Sequence, residues 1–327
     1  MRHNAHVKAV VYTRYGPPDV LSYTDVETPT PSQNEVLVRV RAVSLNLSDW
    51  ETLCGKPLYS RFGGPLRPRH RILGSDIAGR VEATGPGATR FPPGTDVYAD
   101  ILSQFGGFAE YVCVPENVLE PMPDGLTYEQ AAALPQAGAI AWQGIREKGL
   151  VRPGEHVLIN GAGGGSGTYA IQLAKLAGAE VTGVDNGEKL ESMTSVGADH
   201  VIDYTREDFT RNGHAYDLIL DLAGHRPVRR YVGSLRPGGR YLYVGGSVRT
   251  LLQLLLIGWW LGKDDGKRLR LLPVRLGVHH LAPFVELCQA GSIGTVIDRR
   301  YQLREVPEAL RYLGEGHAKG KVVITVD

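Results

Sequence analysis

The chain has 327 residues, 43% hydrophobic and 22% charged, with 36 lysines and arginines against 35 acids and a net charge of +1. That balance suits a globular protein with room for two domains, and it excludes binding to nucleic acid through overall charge. The three cysteines, Cys54, Cys113 and Cys288, form no C-x-x-C pair, so neither a thiol redox motif nor a zinc ribbon is suggested, and their odd, sparse count fits a reducing cytoplasm.

The N-terminus, "MRHNAHVKAVVYT", has no apolar signal core and reads as a short tail entering a strand. Short β-branched runs follow, separated by Gly, Pro and Asp: 7–13, 35–46, 76–85, 95–100 and 109–115. They predict a compact β-rich domain. The texture changes at "PMPDGL", and residues 127–149 are Ala-rich and helical in pattern. From there strands and helices alternate. "HVLIN" (156–160), "EVTGVD" (180–185), "HVIDY" (200–204), "YDLILDLAG" (216–224), "RYLYVGG" (240–246) and "RLRLLPV" (268–274) read as strands. Helical segments lie between them, which predicts βαβ units and a parallel sheet. The apolar segment 251–262, "LLQLLLIGWWLG", is about half the length of a membrane span. It reads as a helix that is buried, covered by a partner, or part of an acceptor pocket wall. Two helical patterns, 279–291 and 304–317, precede a final strand, "GKVVITVD", able to add to the first domain.

The stretch Gly161–Gly167 holds five glycines in seven positions, between an apolar strand and an amphipathic helix. Glycines at such a junction allow a tight turn and expose backbone N–H groups and a helix N-terminus to an anion. The spacing is G-x-x-G-x-x-G, at Gly161, Gly164 and Gly167, with Gly165 and Ser166 opening the helix. Asp185 ends the next strand eighteen residues beyond Gly167, where a carboxylate accepts hydrogen bonds from an adenosine ribose. Dinucleotide binding is the reading. A carboxylate repels a 2′-phosphate, so NAD(H) is slightly favoured, while Lys189 or Arg206 is placed to offset that repulsion and admit NADP(H).

Taken together, "SLNLSDW" (44–50), "GSDIAGRVEATG" (74–85), "GGFAEYVCVP" (106–115), "AAALPQAGAIAWQGI" (131–145), the glycine run, "GADHVIDY" (197–204) and "EGHAKGKVVITV" (315–326) resemble the medium-chain dehydrogenase/reductase superfamily. The resemblance implies a GroES-like β-rich catalytic domain, 1–124 with 276–327, a Rossmann domain of doubly wound parallel sheet, 125–275, and a cofactor in the cleft between them. Zinc-dependent members carry a Cys at the position of Asn46, a His at Ser75 and a Cys or carboxylate near Gln136. Asn, Ser and Gln are not a usual zinc set, so no metal is expected. What remains resembles the zinc-independent quinone oxidoreductase branch, which carries Asn at the Asn46 position; Leu47 stands where its commonest version has Pro.

Without a Lewis acid, an acceptor that spreads the incoming charge is the suitable substrate. The reading is therefore an NAD(P)H-dependent reductase of quinones or α,β-unsaturated carbonyls. A carbonyl reductase or alcohol dehydrogenase without zinc, and a silent dinucleotide-binding protein, are the alternatives. Asn46 is the leading catalytic candidate, contacting the nicotinamide ribose or the acceptor oxygen. Tyr59 is a second, as proton donor. Asp49 and Asp76 brace the site. Tyr204, Gly245, Gly246 and Ser247 fall at the carboxyl edge of the sheet, where cofactors lie, and the resemblance assigns Lys321 to the pyrophosphate. A homodimer pairing through 268–274 is expected, with no nucleic acid partner and no membrane span.

Overall fold

The computed structural model describes residues 6–61 and 64–327; the first five residues, read above as a tail, and Phe62 and Gly63 lie outside them. The chain forms two compact units, one of the chain up to Gln136 with Leu276–Asp327, the other of Ala137–Arg275.

In the first unit, Glu35–Ser44 is the central strand of a seven-stranded sheet. It pairs antiparallel with Asp76–Thr84, Tyr111–Pro115 and the last strand, Lys321–Thr325. The sequence "EVLVRVRAVS" explains that place: its β-branched side chains are buried on both sides, as a strand covered on both faces requires. Val36, Val38, Val40, Ile77, Val97, Phe108 and Leu310 share one core. Register sets Ser44 opposite both Asp76 and Val323, so Asn46, Asp76 and the start of the final strand converge at one end of the sheet.

Three strands of this unit escaped the sequence reading, the shortest being the two-residue Glu120–Pro121. Ser22–Glu27 and Ile297–Gln302 are edge strands with mostly exposed or half-exposed side chains. Their charged and polar residues suit an edge and carry no clear hydrophobic alternation.

The second unit is a six-stranded, wholly parallel sheet in the spatial order His200–Asp203, Glu180–Asp185, His156–Asn160, Tyr216–Asp221, Leu235–Tyr243, Arg268–Leu271. Counted along the chain this is 3-2-1-4-5-6, the doubly wound order, whose direction reverses between His156–Asn160 and Tyr216–Asp221. Ligands bind such sheets at the carboxyl ends of the strands beside that reversal. The helix Gly165–Leu176 starts there, directly after the glycine run.

Two sequence readings need correction. The strand ending at Tyr243 begins at Leu235, five residues before the expected start, because Leu235 pairs with Tyr216 ahead of a register shift, after which Arg240 pairs with Leu218. The apolar segment forms a helix, Val248–Ile257, but only Thr250 and Leu254 within it are buried. Its sequence is apolar all round, while one unit supplies a core on one side only. The edge strand Arg268–Leu271 ends the sheet and carries Arg268 and Arg270, charges of the kind that discourage strand-to-strand pairing.

Candidate functional site

In the first unit, Asn46 sits at the N-terminus of the helix Leu47–Cys54. Asp49, three residues on, reaches back to accept the Asn46 backbone N–H at 2.8 Å, half of a capping box. The other Asp49 oxygen accepts the Gly74 N–H at 3.0 Å. This ties the helix start to the segment Gly74–Asp76. The Asn46 amide donates to the Asp76 carboxylate at 2.9 Å and to the Ser75 hydroxyl at 3.2 Å. Its oxygen accepts from the Lys321 ammonium at 2.7 Å, and Lys321 also donates to the Leu45 carbonyl at 3.1 Å.

Gln136 closes the far side. Its backbone N–H and side-chain amide donate to the two oxygens of Asp76, at 3.1 and 3.2 Å, and the amide reaches Asp100 at 3.4 Å. Its carbonyl oxygen accepts from Ser48 at 3.0 Å. Asp49, Ser75 and Asp76 are wholly buried and Lys321 is 3% exposed, whereas Asn46 is half-exposed at the rim. Lys321, expected at a pyrophosphate, is thus found inside this cluster, 4.0 Å from Asp76.

Burying three carboxylates around one ammonium shifts all four groups. Burial pushes Asp49 up to about 6, against the pull of its hydrogen bonds and Lys321. Burial and the neighbouring Asp100 raise Asp76, and burial raises Asp100. Burial lowers Lys321 despite its three acidic neighbours. Tyr59 stands on the turn Leu58–Arg61, half-exposed, and no hydrogen bond joins it to the cluster among the described residues. Burial, then the charge of Glu51, raises its pKa, which makes it a weaker acid. With Leu47, Leu58 and Leu66 it leaves exposed apolar surface on loops of this unit.

In the second unit, Gly161 adopts φ +85°, a left-handed conformation that glycine takes without strain. A Cβ on Gly167 would lie 2.4 to 2.5 Å from Ala162 backbone atoms, so the helix packs there by glycine alone. Gly164 differs: the nearest atom to a Cβ would be the Gly161 carbonyl oxygen, at 3.7 Å. Gly164, Gly165 and Ser166 form the partly exposed start of a twelve-residue helix; the Gly164 N–H donates to the Gly161 carbonyl at 3.4 Å, and the first N–H groups of the helix itself have no intrahelical acceptor.

The Gly163 N–H is held by the Asp185 carboxylate at 2.9 Å. The same carboxylate pairs with Lys189 at 3.2 Å, one helical turn on, both side chains being largely buried. Tyr204 is exposed beside Asp185, whose carbonyl accepts its N–H. Arg206 is turned to Asp203 at 3.5 Å and is largely in solvent. Gly245 and Gly246 follow the fifth strand; the Gly245 carbonyl accepts the Gly224 N–H and the Gly224 carbonyl accepts the Ser247 N–H, which sets Gly246 beside Gly224 across the strand ends. The Ser247 hydroxyl caps the next helix through the Thr250 N–H at 3.1 Å.

The structure also brings in residues the sequence reading missed. Asp221, buried at the end of its strand, accepts from Asn160 at 2.7 Å and Tyr241 at 2.6 Å. That lock fixes the strand ends beneath the glycine loop. Ser48 and Asp100 join the Asn46 cluster through Gln136. No local pattern marks them; only strand pairing brings them together.

The second unit fits a dinucleotide. It offers a left-handed glycine turn, an uncovered helix start and a carboxylate beyond the next strand. The first unit does not fit a catalytic zinc. Asn46, Ser75 and Gln136 offer two amides and a hydroxyl in place of thiolate and imidazole, and a lysine ammonium already holds the Asn46 oxygen. Among the described residues no group of three or more His, Cys, Asp or Glu is arranged to hold a metal.

The chain matches the family model for the alcohol dehydrogenase GroES-like domain over residues 32–124, and that for zinc-binding dehydrogenase over 196–324. It is 32% identical to a chloroplastic quinone oxidoreductase of Triphysaria versicolor, covering 97% of this chain and 98% of the relative. It is 31% identical to a 2-methylene-furan-3-one reductase of Solanum lycopersicum, covering 98% of this chain and 79% of the relative. Among solved structures, the quinone oxidoreductase of Coxiella burnetii superposes with a TM-score of 0.87 at 28% identity, over 98% of this chain and the whole of that one.

Proposed function

The chain belongs to the medium-chain dehydrogenase/reductase superfamily, in its quinone-oxidoreductase-like branch, and on that premise we propose that it is a zinc-independent NAD(P)H-dependent reductase of quinones or α,β-unsaturated carbonyls. One observation carries this reading. At the positions where relatives place zinc ligands, Asn46, Ser75 and Gln136 are wired to Asp76 and Lys321. Reduction of a simple carbonyl calls for a strong electrophile to steady an alkoxide. A quinone or enone spreads the charge over its own conjugation and needs only orientation and modest hydrogen bonding.

NAD(P)H, when bound, supplies the hydride. The chain's own residues hold and orient. The open backbone at Gly164, Gly165 and Ser166 takes the pyrophosphate, and Asp185 and Tyr204 flank the adenosine. Asn46 is clamped by Lys321 on its oxygen and by Asp76 and Ser75 on its nitrogen. It therefore presents one fixed orientation at the rim. Lys321 supports catalysis from within the cluster by holding that amide. The ion pair from Lys189 already balances Asp185, so the preference for NAD(H) is small and NADP(H) is accepted too. The three free cysteines fit a reducing compartment, the cytoplasm.

The test is a steady-state screen of 1,2- and 1,4-quinones, enones and aldehydes with NADH and NADPH, with and without a chelator. Chelator-insensitive turnover of quinones or enones is expected. Turnover of aldehydes or alcohols alone, lost with chelator and restored by zinc, would overturn the reading. Binding of both cofactors with no consumption on any acceptor would make this a dinucleotide-binding protein instead.

A further inference from the structure

Residues 52–75 carry five basic side chains, Lys56, Arg61, Arg67, Arg69 and Arg71, and no acid, which leaves 31 basic residues against 35 acidic ones in the rest of the chain. A positive pole on an otherwise acidic molecule attracts anions. This loop belongs to the first unit. It leaves the Asn46 helix at Gly55 and returns at residues 74–76, where Asp49 accepts the Gly74 N–H and the Asn46 amide donates to Ser75 and Asp76. Both ends of the loop are therefore fixed to the Asn46 cluster.

The loop is also braced along its length. The Tyr15 hydroxyl donates to the Gly64 carbonyl at 2.6 Å. The Arg61 guanidinium lies 4.8 Å from the centroid of the Tyr15 ring and donates to the Gly55 carbonyl at 2.9 Å. A Cβ on Gly64 would fall 2.3 Å from the Arg67 carbonyl oxygen and 3.0 Å from the Arg69 nitrogen, so the backbone folds back on itself there. Arg61 is thus spent on structure. Arg67 and Arg69 are exposed and have no acidic partner among the described residues. Other arginines of this unit do pair: Arg80 with Asp96 at 2.7 Å, Arg300 with Glu129 at 2.6 Å. Leu58, Tyr59 and Leu66, at 79%, 52% and 90% exposed, add apolar surface to the same loop.

A guanidinium presents two N–H groups in a fixed fork that matches an oxyanion. An acceptor with a flat apolar body and a fixed negative charge meets both the arginines and the apolar side chains, whereas a neutral one leaves the arginines unused. We propose that this loop selects acceptors carrying an oxyanion, a carboxylate or a phosphate, beside their conjugated system, with Arg67 and Arg69 as the specificity-determining residues. The inference rests on the reductase reading above. There the dinucleotide's pyrophosphate goes to Gly164, Gly165 and Ser166, so this second anion site serves the acceptor. For an enone acid, the hydride of NAD(P)H goes to the β-carbon, water supplies the proton at the α-carbon, and NAD(P)+ leaves. The oxyanion is held and does not react.

The test is calorimetric titration of the full chain, loaded with NADP+, with 4-carboxybenzylideneacetone and with its neutral parent, benzylideneacetone. The acid is expected to bind about tenfold more tightly, an advantage that shrinks as salt is raised. Arg67→Gln with Arg69→Gln should abolish that preference with the Tm unchanged, since both side chains are exposed. Arg67→Lys with Arg69→Lys should restore part of it, because the charge stays and the fork is lost. Equal affinity for acid and parent overturns the proposal, as does a preference that survives the glutamine pair. Inorganic phosphate binding as tightly as the acid overturns it too, since the loop would then be a bare anion site. Turnover of both enones with NADPH is read separately. If neither consumes NADPH while the binding preference holds, the reductase reading falls and the loop stands as an anion-selective ligand site.

Discussion

The polar cluster at Asn46 and the glycine loop at Gly161–Gly167 are built on opposite plans. Around Asn46, the amide of that residue is saturated by its neighbours: oxygen by Lys321, nitrogen by Asp76 and Ser75. At Gly164 no atom lies closer than 3.7 Å to where a side chain would start, and the helix start faces open space. The first arrangement spends charge and hydrogen bonds on holding one orientation. The second leaves the first N–H groups of a helix unspent, which is what an anion needs. On the function proposed above, the cluster is a positioning device and the loop a binding one.

The sharpest way to break this contrast is to remove the buried cation. Lys321→Met leaves Asp76, Asp49 and Asp100 without their ammonium and frees the Asn46 oxygen. Uncompensated buried charge costs about 3–5 kcal/mol, to be measured by urea unfolding. Adding Asp76→Asn should restore part of it. A loss below about 1 kcal/mol would show that the cation does not hold the cluster.

Next comes pH. The folded state keeps a proton on Asp49 up to about 6, while the unfolded chain releases it near 3.8. Between those values the folded chain binds more protons, so this group's contribution to stability falls as pH rises. At about 1.4 kcal/mol per pH unit the change is roughly 3 kcal/mol. Unfolding of wild type and Asp49→Asn from pH 4 to 7 isolates it. A difference between the two that stays flat across that range would contradict the assignment.

A pair of alanines then probes the loop. Gly167→Ala puts a methyl against Ala162 backbone and should cost about 1–3 kcal/mol in stability. Gly164→Ala meets nothing within the protein, so Tm should hold while the dinucleotide KM rises about tenfold from the methyl in the ligand's space. If Gly164→Ala binds cofactor normally, the open space is not where the pyrophosphate goes. The smallest effect is expected at Lys189→Ala. Freed from its ion pair, Asp185 should raise the KM for NADPH relative to NADH, by about fivefold or less. An unchanged ratio would remove Lys189 from cofactor choice.

Much of this molecule could be read along the chain. "HVLIN" and "EVTGVD" became strands with the expected ends, and the Asp185–Lys189 pair lies within one helical turn. Edge strands such as Ser22–Glu27 were missed because their side chains face water on nearly every position. The resemblance assigned Lys321 to the pyrophosphate, and its bond to Asn46, 275 positions away, is one that nothing nearby in sequence hints at. Ser48 and Asp100 were missed for the same reason: their common partner, Gln136, lies 88 and 36 positions from them.

The amino-acid order by itself determined the strands, the turns, the glycine junction and the missing thiolates, because periodicity and backbone sterics act over a few residues. Only the tertiary structure decided that a lysine ammonium holds the Asn46 amide, that Asp49 keeps its proton to about 6, and that the apolar helix turns outward. Burial, partner and charge state depend on which distant strands pair, and no local pattern carries that information.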